Sequence, residues 1–251
     1  MTKITPHHIL ERKLAGGKIS ALTAYDYPTA KLIDDCGIDI ILVGDSLGMV
    51  VLGYKDTTQV TIEDMVHHLS AVARSSPRAL IVADLPFGTY ENGRDALHHA
   101  RMLMSAGAEA VKLEGGTERK EAVEAIIAEK IPLMGHIGML PQNVRNEGGY
   151  KIKGRTDAEK ERLLKDARFL DKAGVFSMVM ELIIPSVSEE VTQTVTCPTI
   201  GIGSGPNCDG QVLVIHDLIG AFPWFTPKFV QPKADVSGEI LKAIRAWQQS
   251  F

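Results

Sequence analysis

The sequence has few cysteines, and this scarcity argues against two classes of protein. Cys36, Cys197 and Cys208 are the only three in 251 residues. They are odd in number and widely spaced, so they match neither a disulfide framework nor a zinc motif. We expect reduced thiols without a catalytic role, as in a cytoplasmic protein.

The chain also lacks long apolar runs and an excess of positive charge. No run reaches the roughly 18 apolar residues that a membrane span needs. The polar start MTKITPHHILERK has no apolar centre of the kind that a signal peptide contains. The net charge of −4 gives no basic footprint for nucleic acid. We therefore expect no nucleic-acid partner and no membrane partner.

What the chain does have is a regular alternation of strand-like and helix-like segments. The predicted strands span residues 18–24, 38–43, 79–83, 110–113, 132–137, 175–180, 199–202 and 212–220. The predicted helices span residues 27–36, 61–75, 93–106, 117–129, 157–173, 188–195 and 237–249. This alternation predicts one α/β domain over residues 1–251, a (β/α)8 TIM barrel with a C-terminal helix. The alternative is an open doubly wound sheet, but the turn LTAYDYPTA lacks the glycines typical of that fold.

Four acidic residues follow strand-like runs, and together they are the strongest functional signal. Asp45, Asp84, Glu114 and Glu181 each stand at the end of such a run. In a parallel barrel these ends meet at one face, where catalytic residues lie. Like charges repel at close range, so a divalent cation, a proton-transfer task or both must hold the acids there. Carboxylate oxygens without cysteine favour Mg²⁺ over Zn²⁺. The alternative for any one acid is a helix cap or a local ion pair.

Three further polar residues are candidates for the same site. Lys112 is two positions before Glu114, so both side chains point the same way from a strand. We interpret this lysine as neutralising charge or binding a substrate carboxylate, because neighbouring acids oppose the low pKa of a Schiff-base lysine. His136 ends a strand and could be structural or line the pocket. Ser46 could hold a substrate oxyanion through its hydroxyl and backbone N–H.

Two connecting segments are also candidates for the site. The long polar stretch 138–156 contains glycines that flank polar residues, which predicts a lid that excludes water. A surface insertion is the alternative. The glycine-rich stretch 201–211 follows the seventh strand, where barrels often bind phosphate, but it lacks the lysine of a P-loop. Its glycines could instead allow a flat backbone against a planar ligand.

Six motifs in order along the chain resemble the ketopantoate hydroxymethyltransferase family. They are ALTAYDYPTA, LVGDSLGMVVLGY, DLPFG, VKLEGG, MGHIGMLPQ and GIGSGPNCDGQ. The resemblance runs from about Thr5 to Trp247 and implies a barrel of the phosphoenolpyruvate/pyruvate type.

The resemblance implies specific roles for the residues already singled out. Asp45 and Asp84 would bind Mg²⁺, with Glu114 as a further ligand, direct or through water. The substrate would contact Asp45, Ser46, Asp84, Lys112 and His136. Glu181 would be the catalytic base.

The resemblance also implies a reaction and an assembly. The family transfers a hydroxymethyl group from 5,10-methylenetetrahydrofolate to 3-methyl-2-oxobutanoate through an enolate, and the product, 2-dehydropantoate, leads to pantothenate. It forms a cytoplasmic homodecamer. One alternative is a C–C lyase on the same barrel, but the predicted lid has no cysteine to support it. Another is a non-catalytic binding barrel, which the four retained acids argue against.

Overall fold

Eight parallel strands close into a barrel in strict sequence order. The computed structural model describes residues 2–251. The strands are β1 Ile19–Thr23, β2 Ile40–Val43, β3 Leu80–Asp84, β4 Ala110–Lys112, β5 Leu133–Gly138, β6 Ser177–Glu181, β7 Thr199–Ile202 and β8 Gly210–Leu213. β1 pairs with β8, which closes the ring. The prediction of a (β/α)8 TIM barrel is confirmed, and the open sheet is excluded.

Helices surround the barrel and follow most strands. They are α1 Pro6–Leu14, α2 Tyr27–Asp35, α3 Leu47–Val50, α4 Ile62–Ala73, α5 Gly93–Ala106, α6 Lys120–Ala128, α7 Val144–Glu147, α8 Asp157–Ala173, α9 Pro185–Thr194, α10 Ile215–Leu218 and α11 Val236–Gln248. Helix α4 begins with a capping box, in which Thr61 and Asp64 form reciprocal hydrogen bonds. No helix within residues 2–251 combines the length and the apolar character that crossing a membrane requires.

The strands are buried on both faces, and each face belongs to a different core. Ile41 and Val43 of β2 pack in the core cluster that includes apolar residues of the surrounding helices, whereas Ile40 and Leu42 fill the barrel interior. The period of two along a strand produces this division. Ile9 of α1 packs in the interior cluster, so α1 contributes to the filling of the barrel.

On four of the strands, the row of side chains that points into the barrel ends in a polar residue at the C-terminal face. In β3 the row runs from Val82 to Asp84, and in β6 from Val179 to Glu181. The same period of two carries β4 from Ala110 to Lys112 and β5 from Met134 to His136. The strand register therefore directs polar side chains into one end of the barrel.

Two sequence predictions about elements were wrong in detail, and helix α1 was missed. The eighth strand was predicted over residues 212–220, but β8 ends at Leu213 and residues 215–218 form α10. The apolar run VLVIHDLIG fits a strand and a buried helix equally well by composition. The helix predicted from Thr117 begins as a 3-10 turn, because Thr117 donates its backbone N–H and its hydroxyl to Asp166. Helix α1 was not predicted, because the polar N-terminal segment shows no clear apolar stripe.

Candidate active site

All seven predicted site residues line one cavity at the C-terminal ends of the strands. The cavity has a volume of about 1050 Å³. The seven are Asp45, Ser46, Asp84, Lys112, Glu114, His136 and Glu181. The barrel thus brings together residues that are far apart in sequence, as expected for parallel strands that end on one face.

Asp84 and Lys112 form a buried ion pair at the floor of the cavity. The Lys112 Nζ lies 2.7 Å from Asp84 Oδ1, and both side chains are almost fully buried. Burial opposes the charged form of Lys112, but Asp84, Glu114 and Asp45 together raise the pKa of the ammonium group. Lys112 is therefore held in its charged form. This agrees with the predicted neutralising role and argues against a Schiff-base lysine.

Asp45 lies against Asp84 and shares its crowded, negative environment. The backbone N–H of Asp45 donates to Asp84 Oδ2 over 3.1 Å. Burial and the neighbouring Asp84 raise the pKa of the Asp45 carboxyl to about 7. Burial and Asp45 also raise the pKa of Glu114 well above its usual range. Burial is the largest cause of both rises, and repulsion from the neighbouring carboxylates adds to it.

Gln142, which the sequence analysis did not single out, links two of these acids. Its side-chain Nε2 donates to Asp45 Oδ2 over 2.7 Å and to the Leu85 carbonyl over 3.0 Å. Its backbone N–H donates to Glu114 Oε2 over 3.0 Å. The hydroxyl of Tyr90 donates to Oε1 of the same amide. The amide nitrogen thus has two acceptors and the amide oxygen has one donor, which together fix the orientation of the side-chain amide.

His136 lies between Glu114 and Glu181. Its Nδ1 is 3.6 Å from Glu114 Oε1, and its Nε2 is 3.4 Å from Glu181 Oε2. Neither ring nitrogen has a hydrogen-bond partner among the described residues. Burial, followed by the charge of Lys112, lowers the pKa of His136 well below its usual value. The imidazole is therefore neutral, with one N–H donor and one acceptor available to a ligand.

Glu181 combines burial with a raised pKa. It is the last residue of β6, which lies opposite β2 in a ring of eight strands. Burial raises the pKa of its carboxyl to about 8; the charge of Lys112 opposes this rise, and Asp45 and Asp84 add to it. A carboxylate with a pKa in this range is a competent proton acceptor near neutral pH.

Ser46 is held by a second residue that the sequence analysis did not assign to the site. Its Oγ is 2.8 Å from the hydroxyl of Tyr25, a buried side chain. Burial raises the pKa of Tyr25 above its usual value, so the phenol stays protonated. Tyr25 stands in the motif ALTAYDYPTA, but only the tertiary structure brings its hydroxyl to Ser46.

The segment predicted to be a lid, residues 138–156, contributes side chains to the lining of the cavity. It contains a 3-10 turn over Pro141–Asn143 and the short helix α7. Arg145 binds Asp56 through two nitrogen atoms, at 2.8 and 3.1 Å. Tyr150 donates its hydroxyl to the sulfur of Met49 over 3.8 Å. Tyr150 also lines the cavity, so the segment does form one wall of the site.

The glycine-rich stretch after β7 packs against side chains. Gly203 has a positive φ of 63°, and a Cβ at this position would lie 2.9 Å from the Phe229 ring and 2.8 Å from Leu182. Ser204 anchors the turn by donating to the Met180 carbonyl and accepting from the Ile183 N–H. Here glycine is required for close approach of Phe229.

The carboxylates of the cavity provide oxygen ligands for a metal ion, but they do not form a complete coordination shell by themselves. Within residues 2–251, no three His, Cys, Asp or Glu side chains already converge on one point at metal-binding spacing. Mg²⁺, however, is commonly held by one or two carboxylates and completes its six ligands with water and substrate. Asp45 and Asp84 are both buried and are joined by a hydrogen bond from the Asp45 backbone, so they supply two adjacent carboxyl groups that fit that requirement.

The family comparisons cover nearly the whole chain. A family model described as ketopantoate hydroxymethyltransferase matches residues 3–251. A protein of Ignicoccus hospitalis named 3-methyl-2-oxobutanoate hydroxymethyltransferase is 51% identical over 250 residues, covering 99% of this chain and 95% of that protein. A protein of the same name from Pyrobaculum arsenaticum is 55% identical over 235 residues, covering 93% and 89%.

Solved structures with a similar fold are more distant in sequence. Phosphonopyruvate hydrolase, in complex with oxalate and Mg²⁺, has a TM-score of 0.63 at 13% identity, covering 84% of this chain and 81% of that chain. 2,3-Dimethylmalate lyase, a member of the PEP mutase/isocitrate lyase superfamily, has a TM-score of 0.61 at 15% identity, covering 100% and 88%. At such identities the likeness establishes the barrel fold alone.

Proposed function

The chain belongs to the ketopantoate hydroxymethyltransferase family and is a hydroxymethyltransferase, and from this premise we propose the full reaction. The acceptor is 3-methyl-2-oxobutanoate, the donor is 5,10-methylenetetrahydrofolate, and the product is 2-dehydropantoate, on the route to pantothenate. The observation that carries the proposal is the single cavity in which four carboxylates surround Lys112 and His136. A site that forms an enolate before the donor reacts combines a base that takes the proton, a positive charge near the developing oxyanion and carboxylates that can hold a metal ion.

Mg²⁺ is the metal that the oxygen donors fit best. We propose that Asp45 and Asp84 hold it, with Glu114 as a further ligand, direct or through water. The three carboxyl groups are buried close to a single ammonium group, that of Lys112, and this arrangement supports a divalent cation there. When bound, Mg²⁺ supplies Lewis acidity toward the oxygens of a 2-oxo acid.

The polar side chains around the floor would bind and orient the oxo acid. Lys112 supplies a permanent positive charge for a carboxylate, and Ser46 supplies a hydroxyl group. His136 offers two ring nitrogens that have no other partner within the described chain. Asp45 and Asp84 complete the contacts with the acceptor. These residues come from different strands, so the barrel sets their spacing rigidly.

Glu181 is the proposed base. Its carboxylate takes the proton from C3 of the acceptor, and the electron pair of the C–H bond moves toward the keto oxygen to give an enolate. The position of β6 opposite β2 supports a base that faces the acceptor from the side away from Asp45. The pKa of about 8 also supports this role, because a base is most effective when its pKa is near the working pH.

C3 then forms a bond to the methylene carbon of the donor, whose bond to one folate nitrogen breaks as that nitrogen takes a proton. Water displaces the second folate nitrogen from the same carbon, so the product gains its hydroxyl group and tetrahydrofolate leaves. We propose that the lid, whose Tyr150 lines the cavity, limits access of bulk water to this space. A lyase on the same fold remains the alternative chemistry. The lid, residues 138–156, contains no cysteine, and no contact of the site favours C–C cleavage.

The test is exchange of the C3 hydrogen of 3-methyl-2-oxobutanoate in deuterated water, without any folate. We expect exchange when Mg²⁺ is present and its loss when a chelator removes the metal. If exchange continues at the same rate in the presence of the chelator, Mg²⁺ has no role in the enolisation step. No exchange under any condition would contradict an enolising enzyme and favour a binding protein.

The cellular setting and the assembly are proposed on the family resemblance. We propose a cytoplasmic protein that assembles as a homodecamer. Exposed apolar residues along α11, among them Ile240, Ile244 and Trp247, support self-association because a soluble monomer rarely exposes such a stripe.

A further inference from the structure

The active-site cavity has two chemically different regions, and the small oxo acid accounts for only one of them. Its volume of about 1050 Å³ lies at the upper end of the roughly 300–1000 Å³ range of ligand pockets. The floor, described above, carries the acids, Lys112 and His136. The mouth consists of the lid and the segment 221–233, and it has aromatic and basic residues in place of acids.

Aromatic side chains form the apolar part of the mouth. Phe222, Phe225 and Phe229 come from the segment 221–233, and Tyr150 comes from the lid. Phe225, Tyr150 and Phe229 are 58%, 47% and 40% exposed, although all three line a cavity. Aromatic rings that remain exposed at the entrance of a site provide faces on which a planar ligand can stack.

Basic side chains form the polar part of the mouth. Lys151, Arg155 and Lys228 line it, and within residues 2–251 none of them forms an ion pair. The fourth cation, Lys153, is paired with Glu147. Glu159 also lines the cavity, where it accepts the backbone N–H of Arg155. Three uncompensated cations beside exposed aromatic rings match a ligand that is planar at one end and anionic at the other.

We propose that the mouth is the binding site of the folate donor, with its heterocycle on the aromatic residues and its glutamyl carboxylates on Lys151, Arg155 and Lys228. The inference rests on the proposed function for the identity of the donor. The donor's methylene carbon then faces the floor, where C3 of the acceptor is held. Phe229 is chosen for the test because it packs over Gly203 of the glycine-rich turn and lines the cavity.

The aromatic half of the proposal is tested with Phe229→Ala. We expect the KM for 5,10-methylenetetrahydrofolate to rise roughly tenfold, as when one stacking partner is removed. Exchange of the C3 hydrogen uses no donor and should proceed in this variant with the KM of the wild type for the oxo acid. An unchanged donor KM would overturn the assignment.

The basic half is tested with the double variant Lys151→Glu and Lys228→Glu. The donor KM should rise further for a triglutamyl donor than for a monoglutamyl donor, because the longer tail carries more carboxylates. Lys172→Glu, an exposed change on α8 outside the cavity, is the matched control and should leave both KM values unaltered. Equal effects on the two donors would overturn the role of the cations.

The design separates failure of this inference from failure of the proposed function. If wild-type enzyme forms no 2-dehydropantoate from the donor, the proposed function is wrong. If wild-type enzyme transfers normally but the mouth variants keep the donor KM, only the mouth assignment is wrong. A change in molecular mass of the Phe229→Ala variant without a change in donor KM would assign the mouth to a second copy of the chain instead.

Discussion

Glu181 and His136 show how one buried environment produces two opposite protonation states. Burial disfavours charge on both side chains, so it raises the pKa of the carboxyl and lowers the pKa of the imidazole. The result is a neutral histidine beside a carboxyl group that ionises near pH 8. Lys112 remains charged in the same cavity because three acids surround it. Function at this site depends on these differences between neighbours.

The role of Glu181 leads to the first prediction. Glu181→Gln removes the proton acceptor but preserves the shape and polarity of the side chain. We expect C3 hydrogen exchange to fall by about 10²–10⁴-fold. Binding of the oxo acid and of Mg²⁺, measured by calorimetry, should persist. Glu189→Gln, an exposed change on α9, serves as the control. Exchange at the wild-type rate in the Glu181 variant would exclude Glu181 as the base.

Gln142 leads to the second prediction, because it holds one oxygen of a proposed metal ligand. Gln142→Leu removes the bond to Asp45 but leaves the backbone bond to Glu114. We expect Mg²⁺ affinity, measured by calorimetry without substrate, to fall by about 10–100-fold. Tyr90→Phe, which removes only the hydroxyl that orients the amide, should cause a smaller loss.

A purely structural role of Gln142 predicts a different pattern. In that case the thermal midpoint would fall in Gln142→Leu while the dissociation constant for Mg²⁺ stayed at the wild-type value. Gln193→Leu, an exposed change on α9, controls for the loss of an amide.

At the level of helices and strands, alternation alone predicted most of the barrel. The runs that became β2 and β3 are continuous and apolar, which is typical of strands buried on both faces. Asp45 and Asp84 stand at the ends of these runs, and this position led to the prediction of the site. The eighth strand, predicted from Val212, was wrong in extent because composition does not distinguish a short strand followed by α10 from one long strand. Gln142 and Tyr25 were missed because their partners are distant in sequence.

The packing of α8 against the segment before β7 leads to the third prediction. Asp171 of α8 accepts the backbone N–H groups of Thr196 and Cys197 over 3.0 and 2.7 Å. Desolvation opposes ionisation, but these hydrogen bonds outweigh it and lower the pKa of the Asp171 carboxyl. Asp171→Asn should therefore cost about 1 kcal/mol of unfolding free energy at pH 7, a modest value because solvent screens the site.

The pH dependence of this cost follows from the direction of the shift. A carboxyl whose pKa is lower in the folded protein stabilises the fold fully above its unfolded pKa, about 3.9. That contribution disappears as the pH falls through the lower folded value. The difference between wild type and Asp171→Asn in urea unfolding should therefore shrink between pH 5 and the acid limit of folding, roughly as for other paired carboxylates. A difference that stays constant with pH would contradict the electrostatic origin.

Considered as a whole, the molecule separates its polar cavity from the exposed apolar face of α11. The reactive groups lie within the barrel, whereas the apolar residues of α11 point away from it and none of them is buried. Ile240, Ile244 and Trp247 lie at spacings of four and three residues, which place them on one helix face, and each is 48% or more exposed. The whole chain carries a small net charge of −4, too little to oppose self-association strongly.

This separation leads to the fourth prediction, which concerns assembly. Ile244→Asp places a charge in the centre of the apolar face of α11, so burying that face against another copy becomes costly. Analytical ultracentrifugation should show a lower mass for this variant than for wild type, with unchanged far-UV circular dichroism. Lys242→Ala, on the same helix but paired only with Glu239 at 3.7 Å, should keep the wild-type mass. If both variants sediment like the wild type, α11 does not carry the subunit contact. A monomeric wild-type protein would contradict the decamer itself.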